Sequence, residues 1–244
     1  MNDPMLPMLD TNNYDPALPG SIKADFVLKD LLPEDELQQT NAYELTLQEW
    51  WDKCNDGKIM AKLLTKKNRK TYGCCAEITK TVLPIFEEMY PNDNRPRLAI
   101  EAAENYARGE ISEKELEIAS SNASNAANVA YAVCADVEPF AMDQKIAIKV
   151  FQHKERAWSI ACAAAYAARV DAYHTVDMLD AYYVVVNAAY ANTNVNSVAA
   201  EIGRRPRSRN LSIVATKSLL NSANIIRKWF PDIQEVILER ETKR

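Results

Sequence analysis

The chain has 244 residues, 48% of them hydrophobic, only 5 glycines, and a net charge of −5. That length holds one large domain or two small ones with ample core. Scarce glycine argues against hairpin-rich barrels and a glycine-rich phosphate loop, and the mild negative charge argues against a general nucleic-acid binder.

Residues 1–20 carry Pro4, Pro7, Pro16 and Pro19 among Asn and Asp. They are expected to form a flexible or extended arm before a single all-helical domain over 21–244. The first residues lack the basic and apolar regions of a signal peptide, and no apolar run reaches membrane-spanning length. Cys54, Cys74, Cys75, Cys134 and Cys162 form no C-x-x-C pair and no zinc-spaced cluster with the two histidines. A reduced, cytoplasmic protein with no metal and no cofactor is expected.

In "TLQEWWDKCNDGKIMAKLL", Thr46 and Glu49 have capping-box spacing. The Thr hydroxyl can accept from a first-turn amide while the Glu reaches back. Trp50 and Trp51 are adjacent and must diverge on a helix, so one is assigned to the core and Trp51 to an exposed partner anchor. Gly57 suits a helix end, with a short helix over 58–66 beyond it. "TYGCCAEITKTVLPIFEEMY" has helical period, a kink expected at Pro84, and a stop at Pro91.

"DNRPRLAIEAAENYARGE" has the grammar of a complete helix. Asp93 or Asn94 caps it, Pro96 sits in the first turn, and Gly109 stops it. Ala99, Ala102, Ala103 and Tyr106 form a core stripe, joined by Ile100 and Ala107. Arg97 with Glu101, and Glu104 with Arg108, have i,i+4 spacing, worth about 0.2–0.5 kcal/mol per pair. Arg95 and Arg97 are candidates to clamp a carboxylate, either within the fold or on a partner.

Ser112 and Glu115 repeat the capping-box spacing and open a long helix over 113–135, rich in small residues. After a break at 136–139, helices are expected over 141–151, 154–169 and 171–191. The β-prone "YYVVV" stays helical because Val176, Leu179, Tyr183, Val186 and Tyr190 keep helical period. "GRRPRSRN" is a basic loop. A helix over 210–229 places Ile213, Leu220, Ile225 and Trp229 in the core, and a last helix starts at Pro231.

Few residues suggest chemistry. Asp171, His174 and Asp177 are spaced i, i+3 and i+6, so they drift around a helix and do not converge cleanly. They are the one acid–base candidate. His153 fits a helix-entry turn. Cys74 and Cys75 fit buried small apolar positions. Arg204, Arg205, Arg207 and Arg209 could touch an acidic protein or phosphate, but no aromatic stands beside them for base stacking, and nucleic acid is not the expected partner.

"LPIFEEMYPNDNRPRLAIEAAENYARGEIS" resembles the Imm-5-like helical family of immunity proteins from bacterial polymorphic-toxin systems. The resemblance rests on Leu83, Pro84 and Phe86, on Asp93, Arg95, Pro96 and Arg97, and on the Ala-Ile-Glu-Ala-Ala of Ala99 to Ala103. It closes on Ala107, Arg108, Gly109 and Glu110. The later helices, to about Tyr190, are similar in texture, and "TLQEWWDKCNDGKIMAKLL" resembles an N-terminal element of related bacterial and phage proteins. The Asn-rich "SSNASNAANVAY" and the low His content depart from the family.

The resemblance implies an all-α fold and a non-enzymatic inhibitor that binds a toxin or other effector protein in a bacterial or phage-infected cell. The candidate contacts are Arg95, Arg97, Arg204, Arg205, Arg207 and Trp51. The alternatives are a phage-encoded inhibitor of a bacterial defence system, and an enzyme with an acid–base site near Asp171, His174 and Asp177.

Overall fold

The computed structural model describes residues 23–29, 34–38, 43–64, 68–135, 144–169, 179–192, 213–233 and 236. The expected all-α class is borne out. Among these residues the regular elements are helices, with one isolated bridge between Lys23 and Thr46. The arm at 1–20 lies outside the described residues. The chain divides into two compact units, 1–53 and 54–244.

The first unit holds α1 (Ala24–Leu28), α2 (Glu34–Gln38) and α3 (Leu47–Lys53). The expected capping box forms at the start of α3. The Thr46 amide and hydroxyl both donate to Glu49 Oε2, at 2.9 and 2.8 Å, and the Glu49 amide donates back to Thr46 Oγ1. The bridge and the 3.0 Å bond from the Ala24 amide to the Leu45 carbonyl bring the start of α1 beside the α3 cap.

The second unit begins with α4 (Gly57–Ala61). Gly57 opens this helix rather than ending one. Asp56 is its cap, accepting from the Lys58 amide at 2.8 Å. Gly57 is needed for close approach: a Cβ there would stand 2.7 Å from Ser222 Cβ and 2.8 Å from the Leu219 carbonyl oxygen.

Instead of one kinked helix there are two, α5 (Arg69–Lys80) and α6 (Leu83–Met89). Pro84 has no amide to donate and its ring crowds the preceding turn, so it starts α6 instead of bending α5. Then come α7 (Arg95–Arg108) and α8 (Glu113–Ala135). Gly109 takes the left-handed conformation, φ 79°, that ends α7. The second capping box forms as expected, with the Ser112 amide and hydroxyl 2.8 and 2.7 Å from Glu115 Oε2.

The helix α9 (Gln144–Ala167) is continuous where two helices were expected. Residues 144–169 contain neither Gly nor Pro, so nothing interrupts the ladder at His153, which lies inside the helix. "YYVVV" is helical within α10 (Leu179–Asn192), and α11 is Ile213–Trp229.

Sequential helices α7, α8, α9 and α10 pack pairwise, and α5 lies against α7, α9, α10 and α11. The core between them is small-residue rich. Ala99, Ile100 and Ala103 of α7 meet Leu116 and Ala123 of α8, and Ala164, Ala165 and Ala168 at the end of α9. Alanine at these positions lets the axes approach closely. On α11, Ile225 is buried as expected but Leu220 is not, at 40% exposure. The buried face runs instead through Ser218, Leu219, Ser222, Ala223 and Ile226.

Candidate protein-binding surface

The structure disposes differently of each residue singled out from the sequence. Arg95 clamps Asp93 two residues before it, with Nε to Oδ1 at 2.8 Å and Nη2 to Oδ2 at 2.6 Å. This fork holds the Asp93 carboxyl below the usual carboxylate range. Asp93 also accepts from the Arg95 amide at 3.2 Å, closing the turn into α7.

The expected pairs within α7 do not form. Arg97 reaches Glu87 of α6 at 2.5 Å, and Glu104 reaches Lys80 of α5 at 2.6 Å. Arg108 forks onto Glu110 at 2.8 and 2.9 Å. In each case an opposite charge on another element or beyond the helix end competes successfully with the i,i+4 neighbour.

Trp51 is not an exposed anchor. Both tryptophans are buried, Trp50 at 1% and Trp51 at 0% exposure, with ring centroids 6.3 Å apart. Adjacent side chains diverge by about 100° on a helix, so α3 is enclosed on two sides. Arg204, Arg205, Arg207 and Arg209, and likewise Asp171, His174 and Asp177, lie outside the described residues.

The surface that does gather interface chemistry lies between α8 and α9. The helices run antiparallel. Ser120 Oγ donates to the Ala165 carbonyl at 2.9 Å near one end, and Tyr131 lies 6.2 Å, centroid to centroid, from Trp158 near the other. On the solvent side they leave an open groove of about 540 Å³. Ser121, Ser124 and Asn128 line its α8 wall, and Trp158, Cys162 and Tyr166 its α9 wall. These positions recur every three or four residues, so each helix contributes one face.

Ile118 to Ala135 contains no Asp, Glu, Lys or Arg in a chain that is 26% charged. Yet much of α8 there is exposed, including Ile118 at 54%, Val129 at 46% and Tyr131 at 59%. The aromatic surface continues onto α10, where Tyr183 stacks on Tyr166 at 5.2 Å, and Arg169 lies 5.8 Å over the Tyr166 ring. Rigid aromatics supply contact area at low entropy cost, and Ser and Asn supply adaptable hydrogen bonds. Depletion of charge in the middle of an exposed face is the compositional mark of an interface centre.

The groove is poorly equipped for nucleophilic chemistry. Burial pushes the Cys162 thiol up to about 11, which leaves it protonated near neutrality. Cys54, outside the groove, is likewise raised by burial to about 11. Among the described residues, no three His, Cys, Asp or Glu side chains could jointly hold a metal ion. No described helix is long and apolar enough to cross a membrane.

The sequence already held the signal for this surface. An eighteen-residue stretch of helix without charge is either fully buried or partly reserved for a partner. Which of the two applies depends on where α9 lies, and that is not written in α8.

Comparison with known proteins bears out the resemblance. Residues 62–181 match the model of the family described as Imm-5 like putative immunity protein, a little under half of the chain. The match contains the described parts of α5 to α9 and the whole α8/α9 groove. No curated protein and no solved structure matches significantly.

Proposed function

From the Imm-5-like segment at 62–181, we propose that this protein is a non-enzymatic inhibitor that neutralises a toxin or other effector protein by binding it. The observation that carries this reading is the groove of Ser, Asn, Tyr and Trp side chains along the charge-free stretch of α8, inside the segment that matches the family. Binding through a preformed helical face requires no reacting group, and the protonated Cys162 thiol offers none. The encounter takes place in the cytoplasm of a bacterial or phage-infected cell. In a phage the same surface would serve to disarm a defence effector.

Arg97 keeps about half of its side chain exposed while paired with Glu87 and adds a peripheral contact. Arg95 is engaged with Asp93 and serves the α7 turn first. Arg204, Arg205 and Arg207, outside the described residues, are further candidate contacts.

The test is affinity purification of the full chain from its native host, followed by mass spectrometry. A stoichiometric protein partner is expected. Elution of free protein alone at every salt concentration would sink the reading. Asp171, His174 and Asp177 give the competing enzymatic reading. Under that reading His174→Ala abolishes function, whereas under the binding reading it leaves partner affinity unchanged.

A further inference from the structure

We propose that the outward face of α8 pairs, antiparallel, with the same face of a second copy of this chain, along a seam of Ile118, Asn122, Asn125 and Val129. This stands apart from the partner-binding reading above, because the seam and the groove are different faces of the helix.

The helix has two stripes back to back. Leu116, Ser120, Ala123, Ala127 and Ala130 are buried in the core. Ile118, Asn122, Asn125, Val129 and Ala132 each follow one of these by two residues, and all five are exposed. Two residues turn a helix by about 200°, so the second stripe points almost directly away from the core. Its intervals alternate between four and three residues, the repeat that keeps two paired helices in contact along their length.

The outward face of a helix at a protein surface is ordinarily charged and polar. From Ile118 to Ala132 this face carries no charge, and Ile118 and Val129 stand 54% and 46% exposed on it. The side chains of Asn122 and Asn125 have no hydrogen-bond partner among the described residues. An amide offers both donors and an acceptor, so two such groups can satisfy each other across an interface.

The order of residues selects a second copy as the occupant. The seam reads aliphatic, amide, amide, aliphatic, and a two-fold axis between Ala123 and Ser124 maps it onto itself. Ile118 then meets Val129 of the second copy, and Asn122 meets its Asn125. Charge sets the direction. Lys114 and Glu115 border the seam at the start of α8, and a parallel copy would set each against its own like. The antiparallel copy instead sets Lys114 beside the C-terminal end of the other α8, whose free carbonyls favour a cation. The seam is about 21 Å long and one helix wide, below the size of a stable interface, and each copy carries −5. A weak, reversible dimer therefore forms, with its register fixed by the amides.

The experiment is sedimentation equilibrium of the full-length protein across the micromolar to millimolar range, on the native chain and two double variants. The native chain should pass reversibly from monomer to dimer. Ile118→Lys/Val129→Lys sets lysine against lysine in this register and should remain monomeric. Ile118→Lys/Val129→Glu sets each lysine against a glutamate of the other copy, and should dimerise about tenfold or more tightly than the double-lysine variant. Both positions are exposed, and thermal melting should show both variants folded.

A native chain that stays monomeric at every concentration would overturn the proposal. So would a dimer that survives the double-lysine substitution, since it would be built on another surface. Equal weakness of the two variants would overturn the antiparallel register. A photo-cross-linking amino acid in place of Asn125, irradiated in cells of the native host, should give an adduct with a second copy of this chain. An adduct with a different protein alone would assign the seam to that protein and overturn the proposal.

Discussion

The indole of Trp229 lies across Gly73, so that a Cβ at residue 73 would stand 2.4 Å from Trp229 Cη2. The same indole donates from Nε1 to Glu77 Oε2 at 2.8 Å, and Lys228 Nζ meets the other oxygen at 2.7 Å. One bare position on α5 and one carboxylate a turn later thus seat the end of α11.

Gly73→Ala tests this seat. In an exposed helix the substitution would stabilise by up to about 1 kcal/mol. Here the methyl displaces the indole from its hydrogen bond, and a net loss of about 1–3 kcal/mol is expected. A lowered urea midpoint with an unchanged slope would agree. A raised midpoint would contradict the packing.

Acid should weaken the fold through identifiable carboxylates. At Glu77 burial opposes ionisation, but the hydrogen bonds from Lys228 and Trp229 outweigh it and hold the carboxyl below its ordinary value. Arg95 does the same for Asp93, and the Ser112 amide and hydroxyl for Glu115. A carboxyl depressed in the folded state contributes fully above its unfolded pKa of about 4, and the contribution is lost as pH falls through the depressed value. The urea midpoint should therefore be flat between pH 7 and pH 5 and fall below about pH 4.5. Glu77→Gln and Glu115→Gln should each make that fall shallower. An unchanged fall in both variants would place the acid sensitivity elsewhere.

The cysteines should be slow to react. With Cys54 and Cys162 raised to about 11, and Cys74 raised well above its usual value by burial, little thiolate exists at pH 8. Iodoacetamide labelling, followed by intact mass, should run at least tenfold slower on these three than on a free thiol. Rapid labelling of Cys162 in the folded protein would contradict its setting in the groove.

The two arginines of α7 should separate. Arg95→Ala removes a partly buried fork and should cost about 1 kcal/mol of stability while changing partner affinity less than twofold. Arg97→Ala should cost under about 0.5 kcal/mol and weaken binding about two- to threefold, in the manner of a rim charge. Affinity and melting measured on both variants decide this, and the reverse pattern would give Arg95 the binding role.

Much of the helical grammar is legible in the sequence because it is local. Thr46 with Glu49, and Ser112 with Glu115, need only a spacing of three. Gly109 needs only the end of an apolar stripe. Relationships between elements are harder to read. Arg97 has Glu101 at the right spacing, but α6 brings Glu87 nearer. Gly57 looks like a helix stop until α11 is seen to require the missing side chain. Trp51 has the residue type of an interface anchor, yet burial is decided by packing and not by type. The groove is hidden for the same reason: "SSNASNAANVAY" has small residues on every side, and only α9 separates the face that packs from the face left open.

The central claim is that this protein acts by binding another protein through the α8/α9 groove. Its most direct test is the affinity of the purified native partner for the full chain and for its Ser124→Arg/Asn128→Arg variant, two exposed changes in the middle of the groove. Loss of affinity by tenfold or more, at unchanged melting temperature, is the predicted result. Equal affinity of the folded variant, or the absence of any protein partner, would contradict the account.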